Sequence, residues 1–196
     1  MLAEFRIIND PLRPSICTNL CSVCYRSKNE SKKIGCCSYE PEFCLFDLVF
    51  LYLHYPDIYE SILKQGQIIK GFNGTMIEMK SGFNHCPFVG DLGCALPKDA
   101  TTPLCRLFIC REAAMFGPAT IEERFDEYFL SKEYHLNNFL NSKLIHDKGL
   151  TTSTLNNFIE EYSKTINAMI AEINRINPPI EAFHQEINIE DFGLIL

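Results

Sequence analysis

The sequence contains no tryptophan, no excess of basic residues and no long run of apolar residues. Its 18 lysines and arginines are outnumbered by 25 aspartates and glutamates, which leaves a net charge of −7. Proteins that bind the phosphate backbone of a nucleic acid usually carry a net positive charge, so we expect no nucleic-acid partner. No stretch approaches the run of about 18 apolar residues that a membrane-spanning helix needs, so we expect no membrane partner either.

The first sixteen residues lack the uninterrupted apolar segment of a secretory signal peptide, because Glu4, Arg6, Asp10 and Arg13 interrupt them. We therefore expect a cytoplasmic protein. In that reducing compartment thiols stay reduced, and cysteines serve as buried apolar side chains, redox-active thiols or metal ligands. Apolar residues make up 46% of the chain, which is enough to close a hydrophobic core.

All ten cysteines lie between Cys17 and Cys110, and residues 111–196 contain none. Most stand in polar, turn-rich surroundings, which favours metal binding over a role in the core. The exception is Cys44, which lies in an apolar run and is predicted to be a buried thiol. The predicted metal ligands are Cys17, Cys21, Cys24, Cys36, Cys37, Cys86, Cys94, Cys105 and Cys110.

The spacing of these cysteines suggests that thiolates from two distant segments bind metal together, and the number of metal centres stays open. Cys21 and Cys24 are separated by two residues, so one tight turn can direct both sulfurs to a common point. A structural zinc site takes four ligands, and an iron–sulfur cluster normally takes four thiolates. The sequence therefore predicts zinc or an iron–sulfur cluster, of the 4Fe–4S type if the metal is iron. Neighbouring side chains diverge, so which of Cys36 and Cys37 is a ligand stays open.

Two arginines flank the last predicted ligands. A four-thiolate centre carries negative charge, which a nearby guanidinium group would offset. Arg106 is therefore predicted to contact the cofactor, while Arg111 is equally well explained as a surface residue. We find no phosphate-binding glycine loop, no zinc-protease motif and no serine-nucleophile signature.

The first two thirds of the chain are predicted to form loops with short helices. Residues 1–40 are predicted to be loop, and the apolar run of residues 43–53 predicts a buried helix that ends before Pro56. A second helix, residues 57–65, would end at Gly66 as a C-cap glycine. Residues 67–70 and 75–80 could pair as a hairpin, and a short helix is predicted over residues 104–114.

The last third has a clearer helical pattern. Residues 119–146 are predicted to form one helix, and a heptad pattern follows, ended by Pro178 and Pro179. A serine or threonine near residue 153 would cap the heptad helix, and residues 181–196 either add a final strand or fray. The apolar heptad positions are Leu155, Ile159, Tyr162, Ile166, Met169, Ile173 and Ile176.

Together these patterns predict a mainly α fold in which a cysteine-rich loop-and-helix module, residues 1–117, precedes a long antiparallel helical hairpin with an acidic tail, residues 118–196. The heptad helix would pack on the preceding helix of its own chain. The alternative is that residues 155–176 bind a protein partner or a second copy of the chain, since such patterns also form coiled-coil dimers.

The segments CSVC, GCC and CPFVGDLGCALPKDATTPLCRLFIC resemble the zinc- or iron-chelating cysteine-cluster (CxxCxxCC) domain family. The resemblance covers residues 17–111 and departs from the family pattern in the eleven residues between Cys24 and Cys36. It implies metal chelation for structure, electron transfer or docking. Flagellin lysine methylases contain a related cluster, so the alternative is a metal-dependent enzyme. That enzyme would catalyse a methylase-like group transfer or thiol redox chemistry at Cys21 and Cys24.

Overall fold

The computed structural model of the chain describes residues 2–20, 40–79, 86–90, 93–108, 121–144 and 150–188. The described strands are β1 (Leu2–Asn9), β2 (Ser15–Thr18), β3 (Glu42–Cys44), β4 (Gln67–Gly71), β5 (Gly74–Glu78), β6 (Val89–Gly90), β7 (Gly93–Cys94) and β8 (Ile180–Asn188). The described α-helices are α1 (Leu45–His54), α2 (Pro56–Gln65), α3 (Pro103–Leu107), α4 (Ile121–Leu130), α5 (Lys132–Lys143) and α6 (Thr152–Ile176). A 3₁₀ turn spans Lys98–Ala100.

The mainly α prediction is wrong, because the described strands form three small antiparallel sheets with the orders β2-β1-β8, β3-β5-β4 and β6-β7. Residues 1–40, predicted as loop, contain β1 and β2. Strand β1 pairs with β2 on one side and on the other with β8, from the far end of the chain. The acidic tail thus supplies a strand over Ile180–Asn188, one of the two outcomes left open.

The hairpin predicted from residues 67–80 is confirmed by β4 and β5. Gly74, at the turn, has a φ of 90°, a conformation that favours glycine. The amide of Thr75 donates to Oδ1 of Asn141 at 2.9 Å, and this hydrogen bond fixes the hairpin to α5. Gly66 is not a left-handed cap, because its φ is −85°. It is needed for space instead, since a Cβ there would collide with the side chain of Ile77.

Helix α1 lies at the centre of the hydrophobic core. Five of its side chains, Leu45, Phe46, Leu48, Val49 and Leu51, are fully buried. The same core takes in side chains from α2, β5, α5 and α6, so residues on both sides of the predicted 117/118 boundary share it. The boundary itself lies outside the described residues.

The predicted long helical hairpin is not observed. The helix predicted over residues 119–146 is broken at Ser131, whose hydroxyl accepts from the amide of Tyr134 and so caps α5. The heptad helix α6 packs mainly on α1 rather than on α5. It starts after the capping residue Thr151 and ends before Pro178, as its sequence predicts. Among the helices described, none has both the length and the apolar character needed to cross a bilayer.

Candidate metal centre

Four of the nine predicted ligands lie in the described part of the chain. Cys17 is in β2, Cys86 precedes β6, Cys94 is the last residue of β7, and Cys105 is in α3. Cys94 is exposed and Cys86 is buried. The other predicted ligands lie outside the described residues: Cys21, Cys24, Cys36, Cys37 and Cys110.

The β6–β7 hairpin brings the backbones of Cys86 and Cys94 near one another. Val89 faces Cys94 in the strand register, and the amide of Val89 donates to the carbonyl of Cys86 at 3.2 Å. Gly93 has a φ of 105°, a conformation that favours glycine. Both cysteines are thus at the end of the β6–β7 ribbon away from the Gly90–Gly93 pair.

The hairpin is fixed to the hydrophobic core through Phe88. Its ring packs edge-on against Phe43 with 6.1 Å between centroids. The carbonyl of Phe88 also accepts from the amide of Ala95 at 2.8 Å. These contacts hold the two cysteine-bearing ends of the hairpin in place without using either sulfur.

Cys105 is positioned by the turn that precedes it. The ammonium group of Lys98 donates to the carbonyl oxygen of Cys105 at 2.8 Å. Pro103 occupies the first turn of α3, where a missing amide hydrogen costs nothing. The segment from Lys98 to Cys105 is therefore closed into a compact loop by a side chain that is not itself a predicted ligand.

Arg106, the residue after Cys105, is buried in a cluster of charges. Its Nε donates to the carbonyl of Thr101 at 3.2 Å and its Nη1 to the carbonyl of Pro14 at 3.1 Å. Nη2 lies 2.6 Å from both carboxylate oxygens of Glu133. The guanidinium group therefore ties the cysteine-bearing helix α3 to helix α5. Its predicted contact with a cofactor stays a prediction.

A second arginine completes this cluster, which we call the buried ion network: Arg13, Asp47, Arg106 and Glu133. Nη2 of Arg13 lies 2.9 Å from Oδ1 of Asp47 and also donates to the carbonyl of Thr101 at 2.9 Å. Nη1 of Arg13 is 3.8 Å from Oε1 of Glu133. The network contains two positive and two negative groups, so its formal charges cancel. Cancellation of this kind is what allows ions to be buried.

Sequence reasoning did not identify Arg13, Asp47 or Glu133 as members of a common cluster. Asp47 gives the only signal, because it is an acidic residue within the apolar run of α1. Its Oδ2 accepts from the amide of Cys44 at 3.0 Å and so also caps the helix. The partners of Asp47 and Glu133 come from distant segments, which local patterns cannot reveal.

Cys44, Asp47 and Glu133 offer ligand atoms within 4.8 Å of one another, which is close enough for one ion. The donor set does not fit a metal, however. Both carboxylates are already paired with guanidinium groups, which would repel a dication. Burial raises the pKa of the Cys44 thiol well above its usual range, and Asp47 and Glu133 raise it further, so the thiol is protonated. We interpret the cluster as structural.

The buried thiol predicts a loss of stability at alkaline pH. Unfolded Cys44 would release its proton above its ordinary pKa of about 8.5, whereas the folded thiol keeps it because its pKa is raised. The free energy of unfolding should therefore fall as pH rises above this value, by up to about 1.4 kcal/mol per pH unit for this group. Urea unfolding of wild type and Cys44→Ala at about pH 8 to 10 measures the difference. If the free energy of unfolding fell equally with pH in both proteins, the prediction would be wrong.

Among the described residues, no three of the predicted cysteine ligands lie close enough together to share one ion. Comparisons with family models, with curated proteins and with solved structures found no match to this chain.

Proposed function

We propose that this protein binds zinc or an iron–sulfur cluster through cysteine thiolates from two segments of the chain. The observation that carries the proposal is the placement of Cys86 and Cys94 at one end of the β6–β7 hairpin, with Cys105 in the short helix α3, where its carbonyl oxygen accepts from Lys98. A tight ribbon followed by a short, fixed helix is a suitable scaffold for thiolate ligands, because the backbone determines where the sulfurs can meet. The remaining ligands would come from Cys21, Cys24, Cys36, Cys37 and Cys110.

Exposure of the cysteine side chains supports the same proposal. Cys94 is exposed and Cys105 is partly exposed, although cysteine is among the most buried residue types. Cys44, by contrast, is 1% exposed and belongs to the core. Of the five described cysteines, Cys44 and Cys86 are buried, whereas a core role does not explain Cys17, Cys94 and Cys105. Thiolates at the surface of β7 and α3 are accessible to an incoming metal ion.

The proposal predicts that purified protein contains metal and that the content depends on particular cysteines. Wild-type protein prepared anaerobically should carry near-stoichiometric zinc, or iron with an absorbance band near 400 nm. Cys94→Ser should lose most of this metal, because serine is a poor ligand for either centre. Elemental analysis and absorbance spectra of the folded, monodisperse fraction measure both.

Cys44→Ala is the matched control for that experiment, since it also removes one thiol but not a predicted ligand. We expect it to retain the wild-type metal content. Metal-free wild-type protein after expression in medium supplemented with zinc and iron would refute the proposal. Equal metal loss in Cys44→Ala and Cys94→Ser would refute the ligand assignment.

A further inference from the structure

The sheet of order β2-β1-β8 leaves β8 as an edge strand, since no strand in the described part of the chain pairs with its outer side. It is nine residues long, and every side chain described in it except that of Phe183 is exposed. About half of the amides and carbonyls of an edge strand point away from its sheet and can pair with another strand.

Edge strands of monomeric proteins are usually protected by lysine, by proline or by a bulge. Residues 180–188 contain neither lysine nor proline. The one register shift along the β1–β8 ladder falls between Ile7 and Ile8, opposite the start of β8. From Phe183 onward the register is regular, and no described strand pairs with this part of the edge.

We propose that this edge pairs with β8 of a second copy of the chain, antiparallel and about a two-fold axis at Gln185. In this register His184 of each copy faces Glu186 of the other. Moving the axis by one residue to Glu186 would instead place the Glu186 side chains of the two copies opposite each other, and like charges that face each other in a ladder are destabilising. The pattern of charge along β8 is therefore self-complementary in the register centred on Gln185.

The charges already present on this face support the same occupant. Glu186 lies opposite Glu4 in the β1–β8 register, and within the described structure its carboxylate has no ion pair or hydrogen bond. Nε2 of His184 is 3.4 Å from Oε1 of Glu4, and Arg6 is 3.5 Å from the same oxygen. Glu186 is thus an acidic group of β8 that has no basic partner within the described structure. His184 of the second copy would provide one.

The ladder involves few residues, so we expect a weak dimer. It buries less surface than the roughly 800 Å² per partner of a standard interface, which favours a Kd in the micromolar range. The surface differs from the heptad face of α6, on which Met169 is 37% and Ile176 is 58% exposed. Variants on the two surfaces can therefore separate two modes of self-association.

Sedimentation equilibrium of the full chain in reducing buffer, over a wide range of concentration, tests the proposal. Wild type should show a monomer–dimer equilibrium. In the His184→Glu variant, the new carboxylate of each copy faces Glu186 of the other copy. These two repulsive pairs should raise Kd by about tenfold or more. The double variant His184→Glu, Glu186→His exchanges the charges and should return Kd to near the wild-type value. His135→Glu, the same change at an exposed residue of α5, should leave Kd unchanged.

Several results would overturn the inference. Wild-type protein that stays monomeric at every concentration would do so, as would a dimer whose Kd is unaffected by His184→Glu. A double variant that fails to recover dimerisation would exclude the register centred on Gln185. Loss of the dimer in Ile176→Glu but not in His184→Glu would assign self-association to the heptad face of α6 instead.

Discussion

Replacing Glu133 with glutamine is expected to lower the free energy of unfolding by about 3–5 kcal/mol, the usual result of breaking a buried ion pair from one side. Glu133 is fully buried, and its carboxylate pairs with Arg106 at 2.6 Å and Arg13 at 3.8 Å. The neutral amide would leave two buried guanidinium groups with a single carboxylate, that of Asp47. Because the free energy of unfolding of a whole domain is only about 5–15 kcal/mol, the expected loss is a large fraction of it.

Urea unfolding followed by circular dichroism at 222 nm measures this change. Glu161→Gln is the matched control, because Glu161 is exposed on α6. It should change stability by no more than about 0.5 kcal/mol. If Glu133→Gln were as stable as Glu161→Gln, the buried ion network would not be holding the N-terminal segment, α1, α3 and α5 together.

The network also explains why this part of the fold could not be predicted from the sequence. Arg13 and Asp47 are 34 residues apart, and Arg106 and Glu133 are 27 apart. No periodic pattern links them, and each charge alone is typical of a surface residue. Their burial follows only from the packing of α1 against its neighbours, which brings two cations and two anions together.

Elements determined by local chemistry were predicted well. The β4–β5 hairpin follows from its strand–turn–strand pattern, with Gly74 in the conformation that favours glycine. Helix α6 begins after the capping residue Thr151 and ends at Ile176, with Asn177 as the C-cap just before the two prolines. In each case residues within one segment were sufficient, since capping and turn formation depend on neighbours in sequence.

Elements that depend on distant partners were predicted badly. β1 pairs Leu2 with Asn188, near the other end of the chain, and neither strand shows a strong alternating pattern. The break at Ser131 was hidden because the apolar residues on either side of it suit one continuous helix. The predicted cysteine ligands also combine a feature visible in the local sequence with one that depends on distant parts of the chain. Their spacing suggests a centre, but whether they converge depends on the fold, and five of them lie outside the described residues.

Removal of the proposed metal is expected to have the largest effect on stability. Structural zinc contributes roughly 10–16 kcal/mol of apparent binding free energy, which is as large as the stability of a whole domain. Cys105 lies beside Arg106, whose guanidinium group holds Glu133 of α5. Freeing the cysteines would therefore loosen α3, and with it the buried ion network and the core around α1.

The shared core predicts that this loss is cooperative. Residues of α1 and α6 belong to one hydrophobic cluster, so the heptad helix should not survive on its own when the cysteine segments unfold. After treatment of metal-loaded protein with a strong chelator, the helical signal at 222 nm should therefore be lower. In a denaturant titration of the chelated protein, loss of this signal and reaction of the thiols with a colorimetric reagent should occur at the same denaturant concentration. Readdition of the metal under reducing conditions should restore both, because the proposed site would be complete only in the folded state. A chelated protein that keeps its full helical signal while its thiols become reactive would show instead that the cysteine segments fold independently of α6.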